Sequence, residues 1–251
     1  MHNKISFAQL YDAQYHDFDA DLPLWLARAR EAGDPVLELG CGSGRVLLPL
    51  VQAGHRLAGV DHDSNMLELA RRRLSSAGVE QVALIEADLS SFAIEERFKL
   101  ALAPLNTLAT LEDDAFRAAL ACTADHLLSG ADLICDLPNP LTALEEKPDP
   151  DEILDEFIEP STESAVQVRA AVEPLVDGSV QRVAWVYEVL SREGFVEPIH
   201  IEQRFHLRGT ARLRELAEQS GLQLAGTLGD YDSSPYTEDS PRLIAIFRRT
   251  A

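Results

Sequence analysis

Apolar residues in this chain recur with two different periods, and the change between them falls near Asn139. Across residues 35–136, short aliphatic or β-branched runs alternate with stretches whose apolar positions repeat every three or four residues. That alternation predicts a parallel sheet covered by helices. Strands are expected at 36–39, 56–61, 82–86, 99–103 and 131–136, each bounded by glycine, proline or acidic residues. Met66, Leu67, Ala70 and Leu74 share one stripe of a helix that starts at Asp63 or Ser64, either of which can cap free amides, and stops at Gly78. A second amphipathic helix is expected over residues 113–128, with Phe116, Leu120 and Leu127 on its apolar side and Gly130 past its end. Ahead of the sheet, Phe7, Leu10 and Tyr11 suggest a short helix, and Pro23 opens a second one that ends at Gly33.

Beyond Asn139 an acidic, proline-broken stretch gives way to three segments of period two. Val166, Val168, Ala170 and Val172 share a face in the first, Val183, Trp185, Tyr187 and Val189 in the second, and Ile201, Phe205 and Leu207 in the third. Three antiparallel strands with one buried face follow from this spacing. Helical spacing returns over residues 210–220, and two further strands, 222–228 and 242–247, close the chain. The antiparallel block is therefore an insertion ahead of the last helix.

Composition narrows the class. The 251 residues, 46% hydrophobic and 25% charged, fit a folded α/β domain with a decorating subdomain. The longest uncharged apolar stretch, 100–111, is shorter than the roughly 18 residues a membrane-spanning helix needs. The N-terminal residues lack the apolar run of a secretory signal, so a cytoplasmic location is expected. Cys41, Cys122 and Cys135 are too few and too scattered for a disulfide framework or a zinc site. A net charge of −20 opposes binding to a phosphate backbone, which draws on lysine and arginine. The expected partner is a small-molecule substrate, with neither nucleic acid nor membrane, and the expected assembly is a monomer or homodimer.

The chemistry gathers at strand ends. Residues 36–45 read VLELGCGSGR, an aliphatic strand whose acidic Glu38 leads straight into a G-x-G-x-G turn. Without side chains, Gly40 and Gly42 let the backbone bend sharply and lie against a ligand. A dinucleotide fingerprint would place a third glycine where Arg45 stands, which argues against NAD. Asp61, about 20 residues after Gly40, ends the second strand at the distance that suits a ribose hydroxyl pair, although an acidic helix cap explains it equally well. Asp88, in the run Glu86 to Leu89, could accept the exocyclic amine of adenine. Three such strand ends in succession at one edge of a parallel sheet converge on one adenosine site.

VLELGCGSGR, GVDHDSNML, EADL and APLNTL resemble, in order and spacing, the first four motifs of class I methyltransferases that use S-adenosylmethionine (SAM). The resemblance covers residues 36–139. It implies a Rossmann-like α/β sheet of seven strands whose last is antiparallel. It also implies that Glu38 and the backbone of Gly40, Cys41 and Gly42 face the methionine portion of SAM. Asp61 would hold the ribose, His62 and Met66 would flank the adenine, and Ala87, Asp88 and Leu89 would contact the base edge. Leu105 and Asn106 would border the transferable methyl. The inserted strands, Tyr11, Asp12, Tyr15 and the run 104–107 are similar to the small-molecule branch that includes glycine and amino-sugar N-methyltransferases. The domain organisation then reads as an N-terminal helical lid over 1–34, a SAM-binding core over 35–139, an inserted antiparallel β subdomain over 140–208, and the C-terminal part of the core over 209–251.

Methyl transfer from a sulfonium needs alignment and dryness more than catalytic side chains. A base for the acceptor proton could come from His200, Tyr11, Tyr15 or an acidic residue near Asn106. Strand parity sets His200, Glu202, Arg204 and His206 on one face, which reads more simply as a solvated outer surface. Tyr231 and Asp232 sit at the same sheet edge as the motifs. Asp136, Asn139 and Asn106 are too loosely spaced for a metal, and none is expected. Two rival classes stay open at this point: a NAD-linked oxidoreductase, and a SAM-binding sensor without catalysis.

Overall fold

The computed structural model describes residues 5–143, 149–175, 178–190, 194 and 196–250. A seven-stranded sheet runs in the order β10-β11-β5-β4-β1-β2-β3. Its strands are β1 (Val36–Leu39), β2 (Leu57–Asp61), β3 (Ala83–Glu86), β4 (Phe98–Ala103), β5 (Leu127–Pro138), β10 (Leu222–Leu228) and β11 (Arg242–Arg249). All central pairs are parallel, and β11 runs antiparallel to both neighbours. One face is covered by α5 (Asp113–His126) and α6 (Thr210–Glu218), whose Phe116, Leu120, Leu213 and Leu216 pack on Leu37 and Leu39. The other is covered by α2 (Leu22–Ala32), α3 (Leu47–Gln52) and α4 (Ser64–Ser76), through Trp25, Leu47 and Leu67 against Val36 and Leu102. β1 is buried at every residue, because parallel strands between two helical layers meet no water. Gly59 in β2 is required by that closeness: a Cβ there would sit 2.8 Å from Cys41 Sγ and 2.9 Å from Leu47 Cδ1.

The inserted sheet is four-stranded, in the order β6-β7-β8-β9, with β6 (Asp155–Glu159), β7 (Ser164–Leu175), β8 (Val180–Leu190) and β9 (Val196–His206). Its inner face packs Val166, Val168, Tyr187 and Val189 against Leu10 and Phe7 of α1 (Phe7–Gln14). The outer face leaves Ile158, Leu190 and Val196 exposed. α1 lies between the inserted sheet and α4 of the core, with Ala8 and Leu10 buried, and its start is fixed by a capping box between Ser6 and Gln9.

Three expectations need correction. The insertion has four strands, not three: β6 lies in the acidic stretch, where Phe157 is its only large inward apolar side chain, too weak a pattern to register as a strand. Part of that stretch, 144–148, lies outside the described residues. The helix read over 113–128 ends at His126, and β5 begins at Leu127, well before Ala131. Gly130, at φ 76°, lies inside this strand, where the pairing with β4 jumps from Phe98↔Leu127 to Leu100↔Asp132. A glycine in the left-handed region allows such an irregularity, so it marks a bulge here and not a helix stop.

Candidate active site

The carboxyl ends of β1, β2, β3 and β4 lie at one edge of the sheet, as right-handed crossovers on a parallel sheet dictate, and a cleft opens there between the ends of β1 and β4. Its walls include Glu38, Gly40, Cys41, Gly42 and Arg45 after β1, Pro104, Leu105 and Thr107 after β4, and Tyr11 and Tyr15 from α1. Gly40 has φ 63°, and a Cβ at that position would overlap Thr107. No other residue satisfies both constraints. Thr107 is pinned by its hydroxyl, which donates to Pro104 O at 2.7 Å.

Asp61 is 7% exposed, and both of its oxygens hold backbone: Oδ2 accepts from Gly42 N at 2.8 Å and Oδ1 from Asp63 N at 2.9 Å. It therefore ties the glycine turn to the end of β2, while Asp63 makes the true helix cap by accepting from Asn65 N. Each oxygen keeps a second lone pair for a ligand. Met66 is buried beside the turn, its Sδ 4.0 Å from where a Cβ on Gly42 would lie. His62 is exposed next to Asp61. Ala87 N donates to Asp61 O at 3.0 Å, and Leu89 is buried. Asp88 is exposed; its Oδ1 accepts from Ser90 Oγ and N, and these hydrogen bonds hold its carboxyl below the ordinary carboxylate pKa. The residues singled out along the first three strands are thus gathered at one edge.

Glu38 carries the strongest electrostatic signature. It is 3% exposed, and its Oε2 has no hydrogen-bond partner. Burial pushes its carboxyl well above the ordinary range, Arg45 pulls it down, and Asp21 and Asp61 push it up. Arg45 is occupied: it forms a bidentate pair with the fully buried Asp21, at 2.7 and 2.6 Å, and donates to Phe18 O at 2.8 Å. A third buried acid, Asp136 at the end of β5, receives Tyr231 Oη at 2.5 Å and faces Arg242. Asn139 is buried and ties the β10–β11 loop by donating to Glu238 O and Ser240 O, so its role is structural. No group of residues able to hold a metal occurs among the described residues.

Leu105 and Asn106 take φ 49° and 59°, two consecutive left-handed residues without glycine. Such conformations cost about 1–3 kcal/mol each and cluster at functional loops. Leu105 lines the cleft, and Asn106 stands half-buried beside it. Tyr11 and Tyr15 stack at 4.5 Å, and burial raises both phenols above their ordinary value. His200 is not brought to the cleft. It pairs with Val186 on the exposed face of β9, while Ile199 and Ile201 point inward by strand parity. Glu202 and Arg204 share that solvated face, but His206 is half-buried where β9 meets the 3-10 turn Thr107–Thr110. Sequence reasoning missed Thr107, Ser43 and the Asp21–Arg45 pair as parts of the site; only the position of Thr107 directly after Asn106 hinted at it.

The cleft itself encloses about 50 Å3. A larger groove of about 560 Å3 lies at the opposite, amino edge of the sheet, between Arg28, Lys99, Ile134, Ile246 and Arg248. That groove has neither a glycine turn nor an unpartnered buried acid, so the smaller cleft is the candidate site.

Residues 36–130 match the family described as "Methyltransferase domain". The chain is 25% identical over 243 residues to the cypemycin N-terminal methyltransferase of Streptomyces sp., covering 92% of this chain and 89% of that protein. Among solved structures it is similar to an S-adenosylmethionine-dependent methyltransferase from Clostridium acetobutylicum, with a TM-score of 0.81, 16% identity and 98% of each chain covered. It is also similar to an amino pentose methyltransferase from Micromonospora echinaspora, with a TM-score of 0.70, 21% identity and 100% of each chain covered. The methyltransferase-domain match over residues 36–130 is thus set in a chain that has throughout the fold of the SAM-dependent methyltransferases it is similar to.

Proposed function

We propose that this protein transfers the methyl group of SAM to an amine nitrogen of a small molecule, with S-adenosylhomocysteine as the other product. The observation that carries the reading is the buried, unpartnered Oε2 of Glu38 beside a glycine bend that no side chain could occupy. A carboxylate in that position calls for a cationic donor from a ligand, and SAM offers an ammonium and a sulfonium. Bound SAM supplies a methyl group already activated for displacement.

The residues of this chain do the rest. Glu38 and the backbone of Gly40, Cys41 and Gly42 face the methionine end; Asp61 holds the ribose; His62, Met66, Ala87, Asp88 and Leu89 surround the base. Leu105 and Asn106, held in strained backbone, border the methyl. Tyr11 and Tyr15 roof the site as neutral phenols, since burial disfavours their ionised form. They therefore orient the acceptor and exclude water, and neither is the base. Drug-sized ligands fill clefts of about 300–1,000 Å3, so α1 must move outward to admit one. Three contacts hold that lid: Arg73 to Asp12 at 2.6 Å, Tyr187 to Gln14 at 2.8 Å and Gln9 to Ser161 at 3.1 Å. Within residues 1–34, α1 thus acts as the lid while α2 stays packed on the sheet; 35–139 with 209–251 act as the SAM-binding core, and 140–208 as the part that shapes the acceptor.

An amine acceptor is supported by the descriptions of the similar proteins, one an N-terminal methyltransferase and one acting on an amino pentose. The −20 charge disfavours nucleic acid, three unpaired thiols suit the cytoplasm, and no helix among the described residues is long and apolar enough to cross a membrane. Incubation with methyl-labelled SAM and matched pools of amines, phenols and carboxylic acids tests the reading. Label is expected in amines; label confined to hydroxyl or carboxyl acceptors overturns the amine, binding of SAM without transfer to any pool favours the sensor, and binding of NAD(H) without SAM overturns the whole reading.

A further inference from the structure

On the inner face of the inserted sheet, Asp155, Val168, Tyr187 and Ile199 form one cross-strand row. Val168 is fully buried and Asp155 half-buried, so this carboxylate sits at the edge of an apolar face that packs on α1. Among the described residues its carboxylate has one hydrogen bond, accepted by Oδ1 from Glu156 N at 2.8 Å, and no arginine, lysine or histidine pairs with it. Glu159, on the same face, is different: its oxygens accept from Ser161 and Thr162 and close a turn. Asp155 faces tyrosines. Burial raises the phenols of Tyr15 and Tyr187, and the charge of Asp155 adds to it, next after burial at Tyr15 and weakest of the causes at Tyr187; Tyr187 is fixed by Gln14, and Tyr15 stacks on Tyr11.

We propose, resting on the reading above, that Asp155 is a specificity-determining residue that receives the acceptor as an ammonium ion against the Tyr11–Tyr15 ring pair. Tyr15 links the two places, since the same side chain walls the cleft beside Leu105. A half-buried carboxylate without a counter-charge is favoured by any cation that reaches it, and tyrosine faces attract an ammonium further. The arrangement also offsets the repulsion between an ammonium and the sulfonium of the donor. A neutral hydroxyl acceptor gains neither effect. Before transfer the bound ammonium gives one proton to water, which frees the nitrogen lone pair for attack.

The test is made on the full chain loaded with S-adenosylhomocysteine, by calorimetric titration of two amine probes. Methyl 3-amino-3-deoxyglucopyranoside is compared with methyl glucopyranoside, and tetra-alanine with its N-acetyl form, which separates a sugar amine from a peptide end. One amine of the two is expected to bind at least about tenfold tighter than its neutral counterpart, the low end for a hydrogen bond to a charged group. In Asp155→Asn that preference should vanish while affinity for S-adenosylhomocysteine stays the same. A preference that survives the substitution, or no preference in the unsubstituted protein, overturns the proposal. Loss of S-adenosylhomocysteine affinity in Asp155→Asn also overturns it, by assigning the residue to the fold. Failure of the unsubstituted protein to bind S-adenosylhomocysteine instead sinks the methyltransferase reading itself.

Discussion

The two sheets of this protein solve the placing of charge in opposite ways. In the seven-stranded sheet, Glu38 and Asp61 stand at the ends of strands buried on both sides, and protein atoms surround them closely. Asp61 is locked by two backbone amides, and Glu38 is left with an unpartnered oxygen in a place it cannot leave. In the inserted sheet only one face is covered, by α1 and, at β9, by the 3-10 turn Thr107–Thr110, and Asp155 on it is held by one backbone hydrogen bond. Rigid, preorganised charge suits a cofactor that is always the same. A sheet with one free face tolerates substitution more readily, which suits an acceptor site.

The contrast can be broken most severely at the glycine bend. Gly40→Val puts a side chain into Thr107 at a φ that L-residues avoid, so SAM affinity should fall at least about 100-fold by calorimetry, combining strain and overpacking. A milder loss would mean that the bend is not in contact with the ligand. Next comes Asp61→Ala, which frees the amides of Gly42 and Asp63 and should weaken SAM binding by about 1.5–3 kcal/mol. Unchanged affinity would remove Asp61 from the site.

Glu38→Gln sharpens the comparison through pH. The folded carboxyl titrates well above its unfolded range, so the empty protein holds this proton while the unfolded chain releases it. Stability from the neutral form is fully present below the unfolded carboxyl value and declines as pH rises from there through the folded value. Thermal melts of the empty protein should therefore show Glu38→Gln to be the more stable form at neutral pH, and the more weakly SAM-binding one. In the unsubstituted protein SAM affinity should rise with pH across the same window, with proton release, and the glutamine variant should flatten that slope. A slope that persists in Glu38→Gln would assign it to another group.

The smallest effect is expected at the lid. Asp12→Asn removes a partly buried ion pair with Arg73, of about 1 kcal/mol, and should speed release of S-adenosylhomocysteine several-fold in stopped-flow measurements. The melting temperature should barely move. Slower release would mean that α1 does not open at this contact.

The parallel core was legible because its signals are local. Aliphatic runs ending in Glu38, Asp61 and Asp88, with glycine in the turn, specify strand, bend and edge from sequence neighbours alone. β6 was not legible, since it owes its place to pairing with β7 and packing under α1, and the weak pattern of its five residues cannot show that. Arg45 illustrates the same limit. Its identity argued against a dinucleotide, but its occupation by Asp21 depends on α2 folding back across the sheet, 24 residues away in the chain.

By itself the sequence determined the order of elements, the glycine bend and which acids stand at strand ends, because hydrophobic period and turn chemistry act over a few residues. Only the tertiary structure decided which of those acids keeps a free oxygen, that His200 faces water, and that Tyr11 and Tyr15 roof the cleft. Those outcomes follow from how distant segments pack, and burial, not residue type, fixes the electrostatic character of a carboxylate.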